Sequence, residues 1–99
     1  MILVRDVFQL KFGKAKEAIA AWKEGRLLNE KLGYPPGRLL TDIAGTNYYT
    51  LVLESTFPSL SDYEKAGKAA MGNAEWHAWY QKVVALTESG HREIMNVVE

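Results

Sequence analysis

The feature that most constrains the fold is a change of hydrophobic rhythm along one short chain. Apolar residues recur at every second position, then at every third or fourth, and the two rhythms alternate to the C-terminus. From Ile2 to Lys11 the even positions Ile2, Val4, Phe8 and Leu10 are apolar, with Asp6 the exception, in a run rich in β-branched and aromatic residues. This is the pattern of a strand with one buried face. Gly13 breaks it. Ala15, Ala18, Ile19, Trp22, Gly25, Leu28 and Leu32 then fall at helical spacing, with Lys16, Glu17, Lys23 and Glu24 on the remaining arc, so a long amphipathic helix follows. Gly25 inside that helix costs about 1 kcal/mol against alanine, a loss offset if the helix there lies close to a sheet. Gly33 and Tyr34-Pro35-Pro36-Gly37 end it.

Arg38 to Ala44 and Tyr48 to Phe57 are two β-rich runs separated by Gly45-Thr46-Asn47, and they read as a hairpin. After Pro58, Ser61-Asp62-Tyr63-Glu64 has the spacing of a capping box and opens a second helix that stops at Met71-Gly72. Asn73 caps a third, whose Trp76, Trp79, Tyr80, Val83 and Leu86 share one face and which ends at Ser89-Gly90. His91 to Val98 is the last strand. Strand, helix, two strands, two helices and a strand make an α+β chain of the ferredoxin-like kind, an antiparallel four-stranded sheet with helices on one face. Its 99 residues suit a single domain over residues 1–99.

Alternation sorts the strand residues into two faces. Val4, Phe8, Leu10, Leu39, Ile43, Tyr49, Leu51, Leu53, Ile94 and Val98 form the more apolar set, assigned to the helices. The mixed set holds Arg5, Arg38, Asp42, Glu54 and Glu93 but also Val7, Leu40, Val52, Met95 and Val97, too apolar to be left wholly in water. A homodimer closed sheet to sheet is therefore expected, with charges of both signs pairing across the two-fold axis. Twelve basic and twelve acidic side chains leave no net charge, which argues against a nucleic-acid partner. Cysteine is absent, and Arg5 and Asp6 interrupt the apolar N-terminus before it could form a secretion signal. No stretch reaches the ~18 apolar residues of a membrane span, and a cytoplasmic protein with no membrane partner is the expectation.

The element order, the phrase Phe8-Gln9-Leu10-Lys11-Phe12-Gly13-Lys14, Glu17 just inside the first helix and the aromatic-rich late helix resemble the dimeric α+β barrel superfamily. Within it the chain resembles NIPSNAP-type and antibiotic-biosynthesis-monooxygenase-like proteins, with Phe8 and Phe12 standing where the NIPSNAP phrase commonly has tyrosine and proline. The resemblance implies a small-molecule pocket in each protomer between sheet and helices. It also implies one of several activities: a cofactor-independent monooxygenase, an isomerase, or a haem-binding or haem-degrading protein. The haem-degrading branch has tryptophan and histidine on a late helix, where Trp76 and His77 stand. This chain departs from it in having no asparagine in the first strand, and in Trp76 and His77 being adjacent and so pointing to different sides of their helix.

Phe8, Trp22, Trp76 and Tyr80, with Trp79, are candidates to hold a flat apolar or aromatic ligand, since aromatic rings combine contact area with polar tips. The same residues at the same spacing also make an ordinary core. His77, beside the aromatic stripe, is a candidate for proton transfer or axial ligation, and is equally read as a rim residue. Asp6 is the one ionisable group on an otherwise apolar strand face and is a candidate general base, or a structural acceptor for Trp22, Tyr80 or another donor. His91 is expected to pair with Glu93 or with a carboxylate across the dimer. The two histidines lack metal-ligand spacing, and phosphate-loop, dinucleotide, hydrolase-elbow and zinc-protease motifs are all missing, so neither metal nor cofactor is expected. A non-enzymatic binding or interaction module accounts for the same residues.

Overall fold

Alternation in the first strand buries Val4 and Leu10 on one side and leaves Arg5 on the other. The computed structural model describes residues 1–99 and builds on that strand. Its elements are β1 (Ile2–Leu10), α1 (Ala15–Lys31), β2 (Arg38–Thr41), β3 (Thr50–Phe57), α2 (Leu60–Met71), α3 (Ala74–Leu86) and β4 (Thr87–Asn96). The strands pair antiparallel in the order β2-β3-β1-β4, so β1 is central and β4 an edge. This is the ferredoxin-like arrangement expected from the alternating rhythms.

The core forms two clusters. One gathers Leu10, Ala18, Ala21, Trp22, Leu28, Leu51, Trp79 and Val83 between α1, α3 and the sheet. The other gathers Val4, Phe57 and Ala66 beneath α2. Where α1 meets α3, Gly25 lies directly under the Trp79 indole, and a Cβ there would collide with the ring. The close approach that this glycine permits is therefore to a neighbouring helix, not to the sheet as the sequence suggested. Trp79 Nε1 donates to the Ala21 carbonyl one turn earlier at 2.7 Å, which fixes the ring in place.

Several boundaries differ from expectation. The N-cap of α2 is Ser59, whose extended backbone follows Pro58 and whose Oγ accepts from Asp62 N at 3.2 Å; Ser61 lies inside the first turn. Helix α3 ends at Leu86, not at Ser89-Gly90, because β1 extends far enough to pair Gln9 with Ser89 and Phe8 with Gly90. Thr87 Oγ1 donates to the Val83 carbonyl at 2.7 Å and closes the helix as the strand starts. Gly90 is needed flat against β1, since a Cβ would meet Phe8 Cδ1 at 2.9 Å. Strand β2 stops at Thr41, so Ile43, expected in the core, is 100% exposed in the loop. Ile94 and Val98, also assigned to the core, are 43% and 93% exposed: the first lies on the edge strand and the second beyond its end.

On the helix-free face the charges pair within one protomer. Glu54 takes Arg5 at 3.3 Å and Arg38 at 2.7 Å, and Glu93 takes Arg5 at 3.6 Å and His91 at 3.0 Å. Pairing across a two-fold axis was the expectation for Arg5, Arg38, Glu54 and Glu93, and neighbouring strands of one protomer already supply partners, while His91 takes Glu93 on its own strand, one of the two partners expected for it. Helix propensity alone predicts that Gly25→Ala stabilises the chain by about 1 kcal/mol. The Trp79 contact reverses the sign, and we expect a loss of about 1–3 kcal/mol from overpacking, read as a lower urea midpoint at unchanged slope.

Candidate functional site

The even positions of β1 that face the helices include Asp6 and Phe8, and antiparallel register sets Leu53 and Arg92 on either side of Asp6. On α1, Trp22, Arg26 and Asn29 follow at i, i+4 and i+7, one face of a helix. On α3, Trp76, His77, Trp79 and Tyr80 descend toward the same space. Between these elements lies a partly open cavity of about 430 Å³. That exceeds ~300 Å³, the lower end of the usual range for small-molecule pockets.

Aromatic contacts build one wall. Phe8 and Trp22 have ring centroids 4.9 Å apart, Trp22 meets Trp79 edge-on at 5.0 Å, and Trp76 stacks on Tyr80 at 5.0 Å with planes 11° apart. Trp76 Nε1 is anchored by Asn29 Oδ1 at 2.9 Å. Trp22 Nε1 is buried without a partner, a cost of about 1–3 kcal/mol for a donor removed from water.

The other wall is polar. Arg92 Nε donates to Asp6 Oδ1 at 2.6 Å, and the guanidinium lies 5.6 Å from the centre of the Tyr63 ring. Desolvation pulls the Arg92 pKa down, but the hydrogen bond and charge of Asp6, helped by Tyr63 and Tyr34, carry it above its ordinary value. Burial pushes the Tyr34 and Tyr63 hydroxyls up. Tyr34 is raised further by Tyr63, and Arg92 opposes the rise in both while Asp6 adds to it. Both rings border the cavity as neutral hydroxyl groups.

Asp6, Phe8, Trp22, Trp76, His77 and Tyr80, all named from the sequence, border this one cavity. Three details differ. Trp76 and His77, expected on different sides of α3, both reach the cavity, with rings 5.4 Å apart, because a space this wide spans the angle between adjacent helical residues. His77 Nε2 donates to the Met71 carbonyl at 2.7 Å. The partner of Asp6 is Arg92, not Trp22 or Tyr80. Arg92, Arg26 and Tyr63 escaped sequence reasoning as cavity residues. For Arg92 a signal was present: it shares the parity of Ile94, which marks the helix-facing side of β4.

No family model matches the chain, and no curated protein sequence matches it. Solved structures do match its fold. A NIPSNAP domain protein from Burkholderia xenovorans superposes with a TM-score of 0.84 at 16% identity, covering 99% of this chain and 95% of that one. A NIPSNAP family protein from Agrobacterium tumefaciens gives 0.86 at 17% identity, covering 99% and 86%. SnoaB, a cofactor-independent oxygenase from Streptomyces nogalater, gives 0.75 at 10% identity, covering 99% and 93%. The chain shares their ferredoxin-like α+β fold. For the haem chemistry that the resemblance raised, the fit is poor: His77 is the one histidine at the cavity, and its Nε2 is engaged by a helix-end carbonyl.

An acid with a higher pKa in the folded than in the unfolded chain keeps its proton longer when folded. Its stabilising contribution is complete below the unfolded pKa and is lost as pH rises through the folded one. For Tyr34 and Tyr63 that window opens at about pH 10, the ordinary tyrosine value. Urea midpoints should fall above it, and the Tyr34→Phe, Tyr63→Phe double variant should fall less steeply; an identical decline in both proteins contradicts the burial of these hydroxyls.

Proposed function

We propose that the chain is a small-molecule-binding protein that holds a flat, largely apolar or aromatic ligand between its sheet and helices. The observation that carries this reading is the convergence of Phe8, Trp22, Trp76 and Tyr80 on one cavity whose far wall is polar. The activity we propose is proton transfer on that ligand, of the kind that begins an isomerisation or a cofactor-independent oxygenation. Asp6 faces the cavity with one oxygen held by Arg92, leaving the other to accept a proton. Arg92 and the tyrosine hydroxyls would balance the negative charge that develops on the ligand. His77 handles the proton at the wall formed by α3. Returning the proton to a second carbon is an isomerisation. Passing the electrons to dioxygen converts a methylene and dioxygen into a carbonyl and water. The fold shared with SnoaB, a cofactor-independent oxygenase, supports the second course.

A second reading, a dimeric binding module without catalysis, is favoured by one observation: both proton-handling candidates are already engaged, Asp6 by Arg92 and His77 by the Met71 carbonyl. Either way, we propose that a second copy covers the open sheet face. Its charges are matched among neighbouring strands, and apolar residues flank that charged row, Leu3 and Met95 on one side and Val7 and Leu40 on the other, with Met95 50% exposed.

Native mass spectrometry of the freshly purified protein tests both parts, with a dimer carrying a discrete extra mass expected. Trp76→Ala should remain dimeric and lose that mass, whereas a bare monomer contradicts the assembly. With the ligand in hand, His77→Ala or Asp6→Asn should lower turnover about a hundredfold or more. Unchanged turnover in both removes the proposed proton-transfer roles of these two residues.

A further inference from the structure

The cavity carries a charge that the rest of the chain does not. Two guanidinium groups, Arg26 and Arg92, border it, and Asp6 is the one carboxylate that does so. The protein as a whole has no net charge, so an excess of one positive charge borders this largely apolar cavity, with the Arg92 side chain 55% exposed to solvent and Arg26 partly buried. Arg26 is half-buried and takes part in none of the ion pairs. Arg92 spends only Nε on Asp6, and its two η nitrogens donate to nothing in the protein. The Tyr63 ring and the Asp6 hydrogen bond hold the guanidinium in place. Its unpaired edge is thereby a pre-set fork for two parallel hydrogen bonds.

A neutral hydrocarbon would desolvate these guanidinium groups and return nothing to them. A carboxylate on the ligand would take both η donors and cancel the excess charge, while its ring lies against the aromatic wall. We infer that the cavity selects aromatic monocarboxylates, with Arg92 as the carboxylate-binding residue and Arg26 as the balancing charge. This rests on the reading of the cavity as a ligand site, and adds to it a class of ligand and a residue that discriminates.

Cinnamate and its neutral isostere cinnamamide are probes of one shape and different charge, and their binding is read from quenching of tryptophan fluorescence. Wild type should bind cinnamate at least tenfold more tightly, about what one charge-assisted hydrogen bond contributes. Arg92→Met, with its fold checked by circular dichroism, should lose that preference through a weaker cinnamate complex. Asp6→Asn releases Arg92 from its counter-charge and should tighten cinnamate, which supplies a test with the opposite sign if Arg92→Met does not fold. Equal binding of the two probes by wild type, an undiminished preference in folded Arg92→Met, or no gain in Asp6→Asn overturns the inference while leaving the cavity a ligand site. Binding of neither probe overturns both.

Discussion

The structure depends on one contact: the Trp79 indole lying across Gly25 with its N–H on the Ala21 carbonyl. It sets how closely α3 approaches α1, and other placements follow. Trp22 packs edge-on against Trp79, and Phe8 packs beneath Trp22, so the helix contact is passed down to the central strand. Toward the C-terminus of α1, Arg26 and Asn29 face the gap between the helices, and toward the N-terminus of α3, Trp76 and His77 do the same. Two tightly packed clusters result, one around Trp22 and Trp79 and one around Val4 and Phe57, and the cavity lies where both contribute to its lining. It is a consequence of helix spacing rather than of missing side chains.

Charge is distributed by the same pleat. Odd residues of β1 place Arg5 on the open face among Glu54 and Glu93, where partly exposed pairs contribute about 0–1 kcal/mol each and serve mainly to neutralise. Even residues place Asp6 on the helix side, where Arg92 is the only guanidinium that register brings opposite it. A single period-two rule thus separates charges used for neutralisation from those left to act on a ligand. The tyrosines beside Arg92 stay protonated because burial penalises their anions.

The order of elements, the two sheet faces and seven candidate residues around the cavity were legible in the sequence because each depends on periodicity or on local turn chemistry. What was not legible depends on register. The end of α3 was placed too late because glycine and serine punctuate helices in isolation, whereas here Gly90 is held in a strand by the Phe8 ring opposite. The reason for Gly25 required knowing that Trp79, 54 positions later, would lie on it. The Asp6–Arg92 pair joins residues 86 apart in sequence, and only the pairing of β1 with β4 makes them neighbours. Ile43 was misassigned because hydrophobicity alone cannot tell a strand residue from an apolar one in the loop that follows.

In the function proposed here a small molecule binds in the space between sheet and helices, rather than on the open sheet face or at the exposed aromatic corner of Phe12 and Tyr48. A crystal soaked in 4-bromocinnamate tests this most directly, because bromine scatters anomalously and marks its own position. An anomalous peak is expected between Phe8, Trp22 and the Trp76–Tyr80 stack. A peak confined to the open face or to the Phe12 corner, with side chains closed over the cavity, would contradict it.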